Sequence, residues 1–181
     1  DYILKNVRSV AVFIKSHRRV KKLYIDVCRT AMVGAIGNGT MLKLYPDTRF
    51  SYADLMLQQY LRNKHYLEQL ILHPEFEDIC LKISTRKVDE FKDIILPSIT
   101  SDNHRFDRKV VLLHDLTKLV CKLIHHVEQK LCKASWVDAL FFALMKDFDA
   151  WSNINQVQAT FDVDFITAVH KALTDRWRGK R

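Results

Sequence analysis

Turn-forming residues are scarce in this chain: 4 glycines and 3 prolines in 181 residues. A many-stranded β fold needs a tight turn every several residues, and such turns draw on Gly and Pro. The scarcity therefore pushes toward long helices, and the spacing of the apolar residues agrees. Over residues 2 to 15, Ile3, Val7, Val10, Ala11 and Ile14 recur at helical intervals. Ser16 and His17 shift the phase, and a second helix carries Val20, Leu23, Tyr24, Val27 and Cys28. Residues 31 to 45 hold Gly34, Gly37 and Gly39 without a strong period and read as a loop. Their GxxGxG order is no nucleotide fingerprint, because no strand precedes it and no helix opens on it.

Further helices are expected from Ser51 to about Leu72, where Ala53, Leu57, Tyr60, Leu67 and Ile71 form one stripe and His73-Pro74 ends the run. Two shorter ones are expected over 75 to 82 and 86 to 96, the latter with Val88, Phe91 and Ile95 inward. The longest spans 106 to 132, with Leu113, Leu116, Val120, Ile124, Val127 and Leu131 in a narrow arc. A helix headed by Ser135-Trp-Val-Asp138, a capping-box pattern, buries Val137, Leu140, Phe141, Leu144, Phe148 and Trp151. The last, 160 to 177, places Phe161, Phe165, Val169, Leu173 and Trp177 at steps of four. The reading is an all-α, irregular bundle of six to eight helices in a single helical domain. It comprises basic helices over 1–30, a loop over 31–50, a helical core over 51–132 and C-terminal helices over 133–181. Beginning on Asp1 already in a helical pattern, the chain reads as an excerpt of a longer one.

Charge is distributed unevenly. Residues 1 to 30 contain eight Lys or Arg against Asp1 and Asp26, a net +6 out of the chain's +8. Arg18, Arg19, Lys21 and Lys22 stand together behind His17, and a second basic cluster (Arg176, Arg178, Lys180, Arg181) closes the chain. Such runs form either a solvated face or a surface for an anionic partner, nucleic acid first. Cations at a helix C-terminus also complement its dipole. No apolar stretch approaches a membrane span and no signal peptide is present. Cys28, Cys80, Cys121 and Cys132 lack metal spacing and read as reduced thiols of an intracellular protein. His114, Cys121, His125 and Cys132 line one side of the 106–132 helix, but they extend over about 27 Å and cannot share one ion. No nucleophile elbow, HExxH or phosphate loop is found.

Residues 46 to 61 join an irregular segment to a marked helix start. Pro46 stiffens the approach, Ser51 is placed as N-cap with Asp54 three residues on, and Arg49 and Phe50 sit just outside. Unpaired amides at such an end favour phosphate oxygens, arginine adds a charged fork, and an exposed phenylalanine can stack a base. Alternatively, Phe50 packs on Leu55 as a hydrophobic staple, and Arg49 pairs with Asp47 or Asp54.

Thr48-Arg49-Phe50, followed by the Ser51-led helix with Leu55, Met56 and Leu57, resembles the start of the helical insertion that divides the ribonuclease H-like catalytic domain of hAT-superfamily transposases. Asp93 to Pro97, the Ser-Trp-Val helix and Asp175-Arg-Trp177 resemble later parts of that insertion. The resemblance implies that Phe50 stacks on a flipped base or hairpin end of transposon DNA with Arg49 beside it; active members often carry Trp where this chain has Phe. It implies a nuclear protein whose parent chain uses a divalent metal such as Mg and can self-associate through regions outside this stretch. The family's catalytic carboxylates and its Cys-x-x-His segment are not recognisable here, so this stretch is expected to hold no cofactor and to cut no DNA. Three readings result: a DNA-holding helical insertion with Arg49, Phe50, Arg18, Arg19, Lys21, Lys22, Arg176 and Arg178 on the DNA; a transposon-derived helical protein–protein module; and an unrelated helical enzyme domain.

Overall fold

A computed structural model describes residues 2–32, 42, 44, 50–96, 106–128 and 134–178. Of residues 31, 32, 50, 134, 135 and 176–178 only the backbone course is described. The described residues form nine helices and no strand: α1 (Tyr2–Ser16), α2 (Arg18–Met32), α3 (Phe50–Leu72), α4 (Pro74–Cys80), α5 (Thr85–Ile95), α6 (Phe106–Glu128), α7 (Ala134–Ser152), α8 (Asn155–Gln158) and α9 (Val163–Arg178). The fold is the all-α multi-helix bundle that the periodicity implies. The chain divides into two compact units, residues 1–114 and 115–181, with the division falling inside α6.

The first unit is built around α3. α1 and α2 pack on it and on each other, α4 and α5 also lie against it, and α1 reaches α5 while α2 reaches α4. The expected stripes are the buried ones. Val7, Val10, Ala11 and Ile14 of α1 meet Val20, Leu23, Tyr24 and Cys28 of α2 in one apolar core with Leu57, Tyr60, Leu67 and Leu70 of α3. Phe13, off the expected stripe, is buried too, because Phe91 of α5 stacks on it with ring centroids 4.4 Å apart and Phe76 of α4 lies 6.1 Å beyond. Leu42, from the segment read as a loop, is buried in the same core.

Helix ends are set by local chemistry. His17 separates α1 from α2; its Nδ1 lies 2.7 Å from the Phe13 carbonyl, and its own carbonyl accepts the first α2 hydrogen bond from the Lys21 amide at 2.9 Å. His73 ends α3 and caps α4: its ring nitrogen accepts from the Glu75 amide at 3.2 Å, with Pro74 in the first turn, where a missing N–H costs nothing. Two expected caps are corrected. α3 already includes Phe50 and α7 already includes Ala134, so Ser51 and Ser135 stand inside their first turns, a shift of the size that fraying ends produce.

Polar groups inside the first unit are paired. Asn63 is fully buried on α3; it accepts from the Tyr24 hydroxyl at 2.8 Å and donates to the Gln59 carbonyl at 2.7 Å. Tyr60 donates to Asp107 at 3.2 Å, and the Lys64 ammonium hydrogen-bonds the other oxygen of that carboxylate. Burial, more than any neighbour, holds the Tyr24 and Tyr60 hydroxyls far above the usual phenol range, with the Asp107 charge adding to Tyr60. Desolvation likewise raises the Cys28 and Cys80 thiols.

In the second unit the buried residues are Leu116, Thr117, Phe141, Leu144, Phe148, Trp151 and Val157. Phe148, Trp151, Phe161, Phe165 and His170 form a chain of ring contacts between 4.9 and 6.0 Å. α9 is capped by Asp162, whose side chain accepts from the Phe165 amide at 2.6 Å. Val127, expected to face inward on α6, is 41% exposed. Burial on α6 fades beyond Thr117, because periodicity defines a face but not how far along it packing extends. Leu131 lies outside the described residues.

Tyr24→Phe leaves a buried Asn63 oxygen without its donor and should cost about 1–3 kcal/mol. Combined with Asn63→Leu it should cost less than the sum of the single changes, and chemical denaturation of the three variants checks this. Stability should also fall as pH rises. Below about 8.5 for thiol and about 10 for phenol, both folded and unfolded chains keep these protons, and stability does not change. Above those values the unfolded chain releases them while the folded chain holds them, which favours unfolding. Melting curves from neutral to alkaline pH should show a smaller loss in Tyr24→Phe and Tyr60→Phe than in the parent chain.

Candidate nucleic-acid interface

The arrangement of α2 is dictated by its two faces. At about 100° per residue, Val20, Leu23, Tyr24, Val27 and Cys28 occupy one side and all are buried. Arg18, Arg19, Lys21, Lys22, Ile25, Asp26 and Arg29 occupy the other, where their side chains fan around a shallow open depression. Arg18, Lys22, Ile25 and Arg29 form its centre line at i, i+4, i+7 and i+11. That line runs for about 16 Å, over which duplex DNA presents roughly five phosphates per strand. Arg29 is legible in this spacing, although in the sequence it counts only toward net charge.

Elsewhere on the first unit, some cations are paired. Arg86 bonds Glu90 at 2.8 Å, Lys92 bonds Glu77 at 2.5 Å, and Lys64 joins Asp107 with Glu68 at 3.9 Å. On α2, Arg29 lies 3.8 Å from Asp26. Among the described residues, Arg18, Arg19, Lys21 and Lys22 form no ion pair, and the first turn of α2 contains no acidic residue. Four exposed cations at a helix N-terminus repel one another and the positive end of the dipole. Bringing an anion there relieves both repulsions. Past Asp26 the surface continues into a second concavity lined by Val27, Thr30, Gln69 and His73, where the C-terminal half of α2 meets the end of α3.

The other expected contact residues are placed less fully. Thr48 and Arg49 lie outside the described residues. Phe50 is the first residue of α3, with its backbone alone described. Leu55, its partner in a staple, is 37% exposed, and Asp54 has its carboxylate 3.6 Å from His114 Nε2 of α6. Arg176 and Arg178 belong to the last turn of α9 in the second unit, again with backbone alone described. Cys121 is half-buried and His125 exposed on α6, and Cys132 lies outside the described residues. Among the described residues no group of three or more His, Cys, Asp or Glu is placed to hold a metal ion, and no helix is long and apolar enough to cross a membrane.

Comparison with known proteins finds no matching family model, no matching curated protein and no matching solved structure.

Proposed function

We propose that this chain is a non-catalytic helical module that holds DNA by its phosphate backbone, of the kind found as the insertion of hAT-like transposases or their domesticated relatives. The observation that carries the reading is the α2 face, where Arg18, Arg19, Lys21 and Lys22 gather on one exposed surface and form no ion pair among the described residues, whereas Lys64, Arg86 and Lys92 have acidic partners. A face without a fixed fork of donors to base edges, made of flexible cations, binds phosphate rather than sequence. The Thr48-Arg49-Phe50 motif supports the family reading and adds a stacking position beside the helix start. On this reading the protein acts in the nucleus, and any divalent metal belongs to the catalytic parts of the parent chain.

Binding to a labelled duplex should be weak, with a dissociation constant on the order of 10⁻⁴–10⁻⁶ M at physiological salt, and should weaken steeply as salt rises. Reversing Arg18, Arg19, Lys21 and Lys22 to Glu should reduce the log–log salt slope by about 0.9 for each phosphate that is no longer neutralised. The substituted side chains are exposed, so the helical circular dichroism should be unchanged. Equal affinity and slope in parent and variant would show that the face is only solvated.

Phe50 allows a separate measurement. As a stacking platform, Phe50→Ala should leave the melting temperature almost unchanged and weaken binding to hairpin DNA by about 1–3 kcal/mol, and Phe50→Trp should strengthen it. As a staple, Phe50→Ala should lower the melting temperature with hairpin affinity intact, and Phe50 would then be architecture.

A further inference from the structure

The second concavity differs in chemistry from the cationic strip beside it. It has a volume of about 310 Å³, at the small end of ligand pockets, and its lining of Asp26, Val27, Thr30, Gln69 and His73 includes no lysine or arginine among the described residues. Asp26 borders both places and has its carboxylate 3.8 Å from Arg29 of the strip. That pair marks a boundary. Anions are drawn to the Arg29 side, and the Asp26 charge repels a phosphate from the concavity itself. A group that enters it from the end of a bound phosphate chain is therefore an uncharged one.

The hydrogen bonds already made leave a defined set of groups for such a guest. The Gln69 amide nitrogen donates to His65 Nε2 at 3.0 Å, which uses one of its two N–H groups and leaves the other with the carbonyl oxygen. His73 Nδ1 accepts from the Glu75 amide at 3.2 Å, so the proton of the neutral ring sits on Nε2 as a donor. Thr30 donates its hydroxyl proton to the Asp26 carbonyl at 2.9 Å and keeps its oxygen lone pairs as acceptors. Val27 adds apolar surface. A donor and an acceptor on one amide, with further acceptors and a donor around them, suit a flat heterocycle that carries an amino group. Glutamine pairs its oxygen and N–H with the amino group and ring nitrogen N7 of adenine, whereas thymine offers no amino group. A base stacked in a duplex cannot enter such a concavity, so the base must be unpaired.

We propose that the concavity where α2 meets the end of α3 is a subsite for one unpaired adenine of a single strand whose phosphates lie along Arg18, Lys22 and Arg29. The inference rests on the phosphate-binding reading of α2 and adds one base contact to it. A free adenine nucleotide is the weaker guest, because its phosphates reach only one end of a line about 16 Å long.

Fluorescence anisotropy on the 181-residue chain tests it, with three labelled probes: an oligothymidine strand, the same strand with one central adenine, and a duplex. The strand with adenine should bind about tenfold more tightly than the all-thymine strand. Gln69→Leu should remove that difference and leave the all-thymine affinity unchanged. Reversing Arg18, Arg19, Lys21 and Lys22 to Glu should weaken both strands by the same factor and keep their ratio. Both strands are measured on the same protein, so a variant that folds poorly loses affinity for both and does not mimic the loss of the ratio. Equal affinity for the two strands in the parent, with duplex still bound, would overturn the adenine subsite and leave the phosphate reading in place. Binding of no probe would overturn both. An adenine preference that survives Gln69→Leu, or adenosine triphosphate competing as tightly as the strand itself, would also overturn the proposal.

Discussion

Asn63 is a polar side chain with no access to water, seated in the apolar face of the helix on which α1, α2, α4 and α5 all pack. An amide so placed costs several kcal/mol unless both its ends are satisfied. The Tyr24 hydroxyl satisfies one and the Gln59 carbonyl the other. Apolar packing between α2 and α3 tolerates some sliding and rolling, but a hydrogen bond 2.8 Å long does not. This bond selects the register of α2 on α3 and the rotation of α2 about its own axis. Rolling α2 by a residue's worth of turn would break the bond and carry lysines and arginines toward the core. The outward presentation of the basic face thus follows from a buried amide on the opposite side of the helix.

A second polar link uses the same logic at the margin of the core. Tyr60, Lys64 and Asp107 connect α3 to the start of α6, and Phe106 lies edge-on to Tyr60 at 6.1 Å. The lysine there is neutralised by its carboxylate partner and contributes to architecture. Among the described residues Arg18, Arg19, Lys21 and Lys22 of α2 have no such partners, and they are open to an anion. Counting lysines and arginines cannot separate these two populations, because only spatial pairing distinguishes them.

Several features were legible in the residues themselves. The inward set of α2 is legible without exception, because its apolar residues, Ile25 apart, fall in one arc. The same holds for Val88, Phe91 and Ile95 of α5. Phe13 is not legible because it lies off its helix's stripe and stacks on the ring of Phe91, 78 residues away in sequence. Leu42 was missed because a lone apolar residue in an aperiodic segment carries no pattern. Val127 was overread, because a stripe continues in the sequence after its packing has ended.

What the sequence by itself determined is the class of fold and the amphipathic division of each main helix: few turn residues and sustained helical spacing leave little else, and both are local properties of the chain. It also placed the cations of residues 18 to 22 on consecutive turns. Tertiary structure decided which charges are paired, which apolar faces are covered and which remain open. Those outcomes depend on interactions between residues far apart in sequence, such as Tyr24 with Asn63 and Lys64 with Asp107, and no local spacing encodes them.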